Sequence, residues 1–205
     1  NVTVSKDNKH FKVDENGLLI GKLDQQNTSN FDTIYFAPRN IGAIEIPKTI
    51  KHIRSYSFSS CINNFKVSFP SDSQLETIGI ESFSYSDLED IFIPNGVIRL
   101  PNECFKGCNE LKSIQFTEDS KLTSIGARVF NEGLIEFTIP KKLEEIDDNW
   151  IFDNYSLSII KNEFNNPNFS VINNGTLFVG KSDKKSQIFD TIYLGRSDIT
   201  SLFIP

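Results

Sequence analysis

The chain has 205 residues, of which 38% are hydrophobic and 18 are Phe, and its net charge is −6 at pH 7. This hydrophobic content argues against a disordered chain, and an acidic chain without a basic stripe is unsuited to a nucleic acid partner. No apolar run reaches transmembrane length and no signal peptide is present, so we expect no direct membrane insertion. Because the sequence contains no Met, we expect a processed or excised piece of a longer protein.

The first 40 residues predict the end of one repeat unit and then a wide segment that contains a β-hairpin. Asn16-Gly17 lies between the apolar residues Val13 and Leu19. An Asn-Gly pair between apolar runs is a strong hairpin signal, because both residues tolerate positive φ. The pentapeptide FDTIY then begins at Phe31 and begins again at Phe189, 158 residues later. We expect it to lead the chain back into register for the next strand.

Residues 41–162 repeat a short apolar phrase such as "LEDIFIP" from Leu88 and "LIEFTIP" from Leu134. The central apolar residues of these phrases, with matching residues nearer the two ends, are separated by 42, 23, 24, 23, 23, 23 and 42 residues. They are Val2, Ile44, Val67, Ile91, Ile114, Phe137, Ile160 and Leu202. Such spacing predicts a stacked repeat array. We call each repeat unit a rung, and FDTIY marks the wide rung of a 158-residue super-repeat.

Within a rung, the strand phrase is followed by a second apolar step such as "LTSI" from Leu122. Gly79 and Gly126 directly follow this step, where a tight turn is expected. A bulky residue comes five positions after the last apolar residue of this step. The residues at this position are Phe58, Phe83, Phe105, Phe130 and Ile151.

The complete phrase L-x-x-I-x-I-P-x-x-V-x-x-I-G-x-x-A-F-x-x-C-x-x resembles the BspA-like class of leucine-rich repeats over residues 41–162 and 199–205. The segments FKVDENGLLIGK and FSVINNGTLFVGK resemble the interstitial segments of such proteins. Asn162 departs from the pattern in place of an Ile, and Trp150-Ile151 departs in place of Ala-Phe.

This resemblance implies a leucine-rich-repeat solenoid with a curved parallel β-sheet on the concave side and short helical or 3-10 turns on the convex side. We expect residues 1–205 to form a single repeat solenoid. Residues 1–40 would hold the end of a preceding rung and the first wide rung, and residues 41–162 the repeats of about 23 residues. Residues 163–198 would form the second wide rung, with a hairpin at Asn174-Gly175, and residues 199–205 would start the next repeat.

Catalytic and metal-binding chemistry has few candidates. His10 and His52 are the only histidines, and the common catalytic and nucleotide-binding motifs are absent from the sequence. A cluster of carboxylates flanks apolar repeat positions, as solvated turn residues do, and lacks the alternating spacing of a calcium loop. Its members are Glu144, Glu145, Asp147 and Asp148. We therefore predict no enzyme activity, no metal and no cofactor.

The three cysteines are predicted to be buried free thiols. Cys61 and Cys108 hold the same repeat position two rungs apart, about 10 Å at strand spacing, which exceeds the ~7 Å Cα limit for a disulfide. Cys104 occupies the small position before Phe105. We note four N-x-S/T motifs as candidate N-glycosylation sites: Asn27, Asn154, Asn168 and Asn174.

The side chains on either side of each central apolar residue are predicted to point outward on the concave sheet, because side chains alternate along a strand. Mixed charge with outward Phe92 and Ile159 suits protein recognition, although Phe92 could instead cover its neighbours. The candidate binding residues are Glu45, Lys66, Ser68, Asp90, Phe92, Ser113, Gln115, Glu136, Thr138, Ile159 and Lys161.

Three hypotheses for function follow. The first is a binding module that recognises a protein ligand on a host or in a microbial community, and the resemblance implies a microbial cell-surface or secreted protein used in adhesion. The second is a structural spacer in a long repeat protein. The third is an intracellular interaction scaffold, which free thiols would fit. End-to-end self-association is a further expectation, because the phrase "SLFIP" leaves a strand edge for a neighbour.

Overall fold

The computed structural model describes residues 2–23, 31–131, 133–151, 156–172, 177–183, 185, 187–189 and 191–195. In this part of the chain, short strands stack rung upon rung into a β-solenoid. The strands are β1 Phe11–Val13, β2 Leu19–Gly21, β3 Thr33–Phe36, β4 Ala43–Glu45, β5 His52–Ile53, β6 Lys66–Ser68, β7 Thr77–Ile78, β8 Asp90–Phe92, β9 Arg99–Leu100, β10 Ser113–Gln115, β11 Ser124–Ile125, β12 Glu136–Thr138, β13 Glu145–Ile146, β14 Ile159–Lys161, β15 Phe169–Ile172, β16 Leu177–Gly180 and β17 Thr191–Gly195.

The strand phrases of the repeats form a parallel sheet, which we call the front sheet (β4, β6, β8, β10, β12 and β14). In four adjacent strands the central residues Ile91, Ile114, Phe137 and Ile160 lie opposite one another. Ile44 lies opposite Val67 in the same way in the two-stranded part. The alignment predicted from the spacing is therefore confirmed for these six rungs. Period-2 alternation then places the central residue in the core and its two neighbours outside.

The second apolar steps form another parallel arrangement, which we call the side ladder (β3, β5, β7, β9, β11 and β13). Ile34 pairs with Ile53 and Ile53 with Ile78, each buried beneath the next. Strand pairing is interrupted at one level in both sheets, since no ladder joins β6 to β8 or β7 to β9 among the described residues. The rungs on either side of this level are joined instead through the turns and the core.

Turns, not helices, connect the side ladder to the front sheet at residues 55–60, 80–85 and 102–107. The predicted helical or 3-10 segments are absent from the part of the chain that the structure describes. Tyr56, Glu81 and Glu103 have positive φ angles of 63°, 52° and 61°, and a right-handed helix requires negative φ at every residue. We call these three stretches the turn segments.

Backbone N–H groups of the turn segments alternate between two kinds of partner. Phe58 N donates to Ser82 O of the next rung at 2.8 Å, whereas Ser59 N donates to Tyr56 O of its own rung at 3.2 Å. The same alternation continues upward, with Phe83 N donating to Cys104 O at 2.9 Å across the level where strand pairing is interrupted. A continuous helix would use every N–H within its own segment, so rung-to-rung bonding excludes it.

The core contains a column of aromatic rings, which we call the phenylalanine stack (Phe65, Phe58, Phe83, Phe105 and Phe130). Successive rings have centroids 5.3–6.0 Å apart and interplanar angles of at most 22°. The stack confirms the predicted bulky position in four rungs. In the fifth rung, where Trp150-Ile151 departs from the repeat pattern, fully buried Trp150 contacts the Phe130 ring at 5.9 Å and Ile151 packs partly buried against the core.

Each wide rung is a three-stranded antiparallel meander, β1-β2-β3 in the first and β15-β16-β17 in the second. The predicted hairpins are present, and residues 14–18 form the first hairpin loop, with Gly17 at φ 82°. Asn174-Gly175 lies outside the described residues. FDTIY contributes the third strand itself, because β3 pairs antiparallel with β2 and parallel with β5. It therefore joins the meander to the side ladder and does more than restore register.

The N-terminal end departs from the predicted preceding rung. Val2, expected at the centre of a strand, is 37% exposed and lies in no strand. Residues 2–10 of the described chain contain no strand and pass beside the first hairpin. Residues 199–205, expected to start the next repeat, lie outside the described residues.

Candidate functional site

The outward residues of the front sheet form two rows, each running across the strands. Cross-strand pairing places Asp90, Ser113, Glu136 and Ile159 side by side in the first row. The same pairing places Phe92 beside Gln115, and Thr138 beside Lys161, in the second row. β8 to β14 give a continuous sheet about 14 Å wide at ordinary strand spacing. The structure thus brings together eight of the eleven predicted binding residues on one uninterrupted surface.

The remaining three predicted residues, Glu45, Lys66 and Ser68, are all exposed on β4 and β6. They lie beyond the interruption in strand pairing, on the two-stranded part of the front sheet. Along the larger part, Asp90 and Gln115 are exposed, and Ile159 is 42% exposed. Phe92 is half-buried, so its ring covers part of its surroundings and also presents an apolar edge to solvent. The front sheet therefore combines charged, amide and apolar groups.

An ion pair crosses the front sheet between two neighbouring rungs. Lys161 Nζ lies 2.6 Å from Glu136 Oε1 and 3.7 Å from Glu163 Oε1. The hydrogen bond to Glu136 and the nearby carboxylates raise the pKa of Lys161 above its ordinary value. The surface beside Ile159 therefore presents an ion pair between two rungs.

The residues considered for catalysis or metal binding do not converge. His52 begins β5, and its Nδ1 lies 2.9 Å from Thr77 Oγ1 of the next rung, whereas His10 is exposed near the N-terminal end. The acidic cluster at residues 144–148 is exposed on either side of buried Ile146. Across the described ranges, no group of three or more His, Cys, Asp and Glu residues has the arrangement needed to hold a metal ion.

All three cysteine thiols are buried and free, as predicted. Burial raises the pKa of Cys108 to about 11, and it raises the pKa of Cys104 well above its ordinary value. Cys108 Sγ also donates to Phe83 O at 3.0 Å. Because thiolates rather than thiols react, these cysteines are protected from oxidation at neutral pH. Thiols buried in this way are compatible with an oxidising as well as a reducing compartment.

Of the candidate glycosylation sites, Asn168 alone lies within the described residues, and Asn27, Asn154 and Asn174 lie outside them. Asn168 is half-buried, and its Nδ2 donates to Leu143 O at 3.1 Å. Glycosylation would replace one of the two Nδ2 hydrogens by a bulky sugar at a half-buried nitrogen that contacts the preceding rung, so the folded arrangement at Asn168 disfavours modification.

Two features of the structure were not predicted from the sequence, one exposed and one buried. Tyr56 and Tyr85 in the turn segments are each 53% exposed, and nearby Ile80 is 48% exposed. Tyr56 donates from its hydroxyl to Glu81 Oε1 at 3.1 Å, which raises the pKa of Tyr56. The second feature is buried Asn166, which joins a wide rung to the rung before it. The 158-residue offset between Asn8 and Asn166 is the sequence signal that could have identified it.

A search for membrane-crossing elements in the described parts of the chain found no helix of sufficient length and apolarity.

Comparison with known protein families agrees with the repeat geometry. The BspA type leucine rich repeat region matches residues 29–177 in six copies. The chain therefore belongs to the BspA type leucine-rich repeat family. This membership accounts for the stacked parallel strands, and the predicted resemblance is confirmed.

Two solved bacterial structures share this fold. The pneumococcal vaccine antigen PcpA is similar with a TM-score of 0.63 and 25% identity, over 84% of this chain and 38% of that chain. The leucine rich repeat protein TpLRR of T. pallidum has a TM-score of 0.55 and 20% identity, over 78% of this chain and 71% of that chain. The present chain thus spans well under half the length of the PcpA chain. No match was found among curated proteins.

Proposed function

We propose that the chain is a non-enzymatic binding module of a microbial cell-surface or secreted leucine-rich repeat protein. In this proposal the front sheet recognises a protein ligand on a host or neighbouring cell and so mediates adhesion. The observation that carries the proposal is the unbroken sheet from β8 to β14, with Asp90, Phe92, Glu136 and Ile159 outward on one surface.

The composition of this surface suits a protein partner. Protein interfaces are enriched in aromatic side chains at their centre and have a polar rim. Phe92 and Ile159 offer apolar area, whereas Asp90 and the Glu136–Lys161 pair supply charges that would orient a partner. Neighbouring strands hold these side chains at fixed spacing, so little conformational entropy is lost when a partner binds.

Location at the cell surface is supported by family membership and by the likeness to PcpA, which is described as a vaccine antigen. From that description we extend to the present protein the proposal that it is exposed at the surface of its organism. Detection by antibody on intact, unpermeabilised cells of the source organism tests this part of the proposal. Signal only after permeabilisation would contradict it.

Binding is tested by surface plasmon resonance against extracellular matrix proteins and by adhesion to host cells. We expect the triple variant Asp90→Ala, Phe92→Ala and Glu136→Ala to lower the affinity for the ligand found by at least about tenfold, since central residues dominate binding energy. Arg99→Ala is the matched control, because Arg99 is an exposed strand residue of the side ladder. Unchanged binding by the triple variant, or an equal loss with Arg99→Ala, would remove the front sheet as the binding surface.

A spacer is the second candidate function, and the equivalence of the two wide rungs favours it. The same meander occurs twice at an offset of about 158 residues, as expected of a module repeated for length. A spacer predicts no ligand in the same binding screen. It also predicts that exchanging front-sheet residues leaves adhesion of whole cells unchanged.

A further inference from the structure

The two wide rungs are built from the same set of backbone contacts. In the first, Phe11 lies opposite Gly21 and Val13 opposite Leu19. In the second, Phe169 lies opposite Gly180 and Val171 opposite Phe178. Both meanders have an irregularity at the same point, between Leu19 and Ile20 and between Phe178 and Val179. Leu19 therefore occupies the structural position of Phe178.

An asparagine opens each meander in the same way. Asn8 Oδ1 accepts hydrogen bonds from His10 N at 2.8 Å and Phe11 N at 2.9 Å. Asn166 Oδ1 accepts from Asn168 N at 2.7 Å and Phe169 N at 2.9 Å. The two amide groups are thus held by equivalent pairs of backbone donors, which fixes the orientation of each Nδ2.

The two asparagines differ in what their Nδ2 groups meet. Asn166 is 4% exposed, and its Nδ2 donates to Pro140 O at 2.7 Å and Leu143 O at 2.9 Å in the preceding rung. Asn8 is exposed, and no hydrogen bond from its Nδ2 is found among the described residues. The donor that joins the second wide rung to its neighbour is therefore present but unused in the first.

The apolar side chains of the two wide rungs differ in burial in the same way as the two asparagines. Phe178 is fully buried and contacts the rings of Trp150 and Phe137 in the preceding rungs, at 5.7 and 6.4 Å. Leu19 is only half-buried, and with Phe11 it lines an open cavity of about 330 Å³. The other residues that line this cavity are Val2, Thr3, Val4, Ser5 and Asn8.

We propose that the face formed by Asn8, Phe11 and Leu19 is a docking surface for a narrow leucine-rich rung with a P-x-x-L turn. The carbonyl groups of that turn would accept hydrogen bonds from Asn8 Nδ2, and its apolar residues would fill the cavity. The acceptors of Asn166 lie 26 and 23 residues upstream in the same chain. We therefore assign the docked rung to the same polypeptide, joined ahead of the wide rung.

An extended chain tests this assignment, with residues 111–158 fused directly to Asn1. By the 158-residue offset, Asn1 is equivalent to Ile159, so the fusion reproduces the existing connection after Ser158. We expect a higher thermal midpoint for the extended chain than for the original chain. We also expect the added rungs to resist limited proteolysis, because stacked rungs stabilise one another.

The decisive variant is Asn8→Asp, which keeps the Oδ1 acceptor and removes the Nδ2 donor. In the extended chain we expect it to lower the thermal midpoint by about 2–6 °C, whereas in the original chain the shift should stay below about 1 °C. Asn166→Asp is the positive control and should lower the midpoint in both chains. Asn16→Asp, at an exposed hairpin residue, is the negative control and should leave both unchanged.

Equal shifts for Asn8→Asp in the two chains would overturn the proposal. So would an added segment that stays unfolded and protease-sensitive while the original chain is folded. Sedimentation of the original chain examines the competing occupant, a second copy. A concentration-dependent dimer that Asn8→Asp abolishes would place another molecule on this face and would also overturn the assignment to the same polypeptide.

Discussion

The narrow and the wide rungs differ in where their backbone hydrogen-bond partners lie. A narrow rung has short parallel strands whose partners all lie in neighbouring rungs, and its ring in the phenylalanine stack touches the rings above and below. A wide rung pairs its strands antiparallel with one another. The first wide rung joins the rung after it through the parallel pairing of β3 with β5. The second joins the rung before it through the side chains of Asn166, Asn168 and Phe178. Narrow rungs therefore depend on stacking, whereas a wide rung is partly self-sufficient.

The largest effect that this comparison predicts is at Phe83, whose ring stacks at 5.3 Å on Phe58 and at 5.4 Å on Phe105. Phe83→Ala removes a fully buried side chain from the middle of the narrow rungs, and we expect a loss of about 3–5 kcal/mol in the free energy of unfolding. Phe11→Ala in the first wide rung removes a half-buried ring and should cost about 1–2 kcal/mol. Urea unfolding measures both. Equal losses would mean that the wide rung depends on its apolar contacts as strongly as the narrow rungs do.

The narrow rungs could be predicted from the sequence in detail, because two simple rules set them. Constant spacing brings Ile91, Ile114 and Phe137 to the same height in successive rungs, and alternation sends their neighbours outward. The turn segments could not be predicted, since Tyr56 and Glu81 adopt positive φ without glycine to signal it. Their conformation is imposed by hydrogen bonds to the next rung, which no local sequence preference reports.

The same two rules, constant spacing and alternation, also predicted part of the candidate site. Alternation predicted which residues point outward on the front sheet. The interruption between β6 and β8 was not predicted, although it falls at the single 24-residue spacing, from Val67 to Ile91, among spacings of 23. The role of Asn166 was not predicted, because the sequence pattern shows Asn162 only as a departure from the repeat and gives no sign that the two residues bond to each other. Asn162 Oδ1 in fact accepts from Asn166 N at 2.8 Å, so it belongs to the junction with the wide rung.

A second prediction concerns how closely the narrow rungs approach one another. A Cβ atom at Gly79 would overlap the backbone nitrogen of Ser55 in the preceding rung. Gly79→Ala must therefore push two backbones apart, and we expect it to cost about 3 kcal/mol. At Gly42 no atom lies within 4 Å and only the φ of +69° opposes a side chain, so Gly42→Ala should cost about 1 kcal/mol. Thermal unfolding of the pair compares crowding with backbone strain, and the reverse order would contradict close stacking at Gly79.

A third prediction uses Cys108, because cysteines occur only in the narrow rungs. Burial raises the pKa of Cys108 from 9.0 to about 11 in the folded chain. The folded state thus holds the thiol proton more tightly than the unfolded state does. The resulting stability is fully present below pH 9 and is lost as the pH rises from about 9 to about 11. A rise of about two pKa units corresponds to roughly 3 kcal/mol.

The measurement is the difference in unfolding free energy between the native chain and Cys108→Ala at several pH values. Cys108 also raises the pKa of Cys104, so the same difference is measured in a Cys104→Ala background, where the thiol of Cys108 is isolated. We expect the advantage of the native chain to shrink as the pH rises through this window. A difference that stays constant from pH 8 to pH 11 would show that Cys108 is solvated in solution and that the narrow rungs open at this level.

The smallest effect is expected for the ion pairs between loops of adjacent narrow rungs. Lys48 Nζ lies 2.9 Å from Asp72 Oδ2, and both side chains are 60% exposed. The hydrogen bond from Lys48 lowers the pKa of Asp72, so any stability that it confers is present above the unfolded pKa and is lost as the pH falls through the folded one. We expect Lys48→Ala to return the pKa of Asp72 toward 3.8, as followed by NMR titration, without a measurable shift in the unfolding midpoint. A clear loss of stability at low salt that disappears at high salt would contradict this expectation. It would show that ion pairs, as well as stacking, hold the narrow rungs together, and that the two kinds of rung differ in electrostatics too.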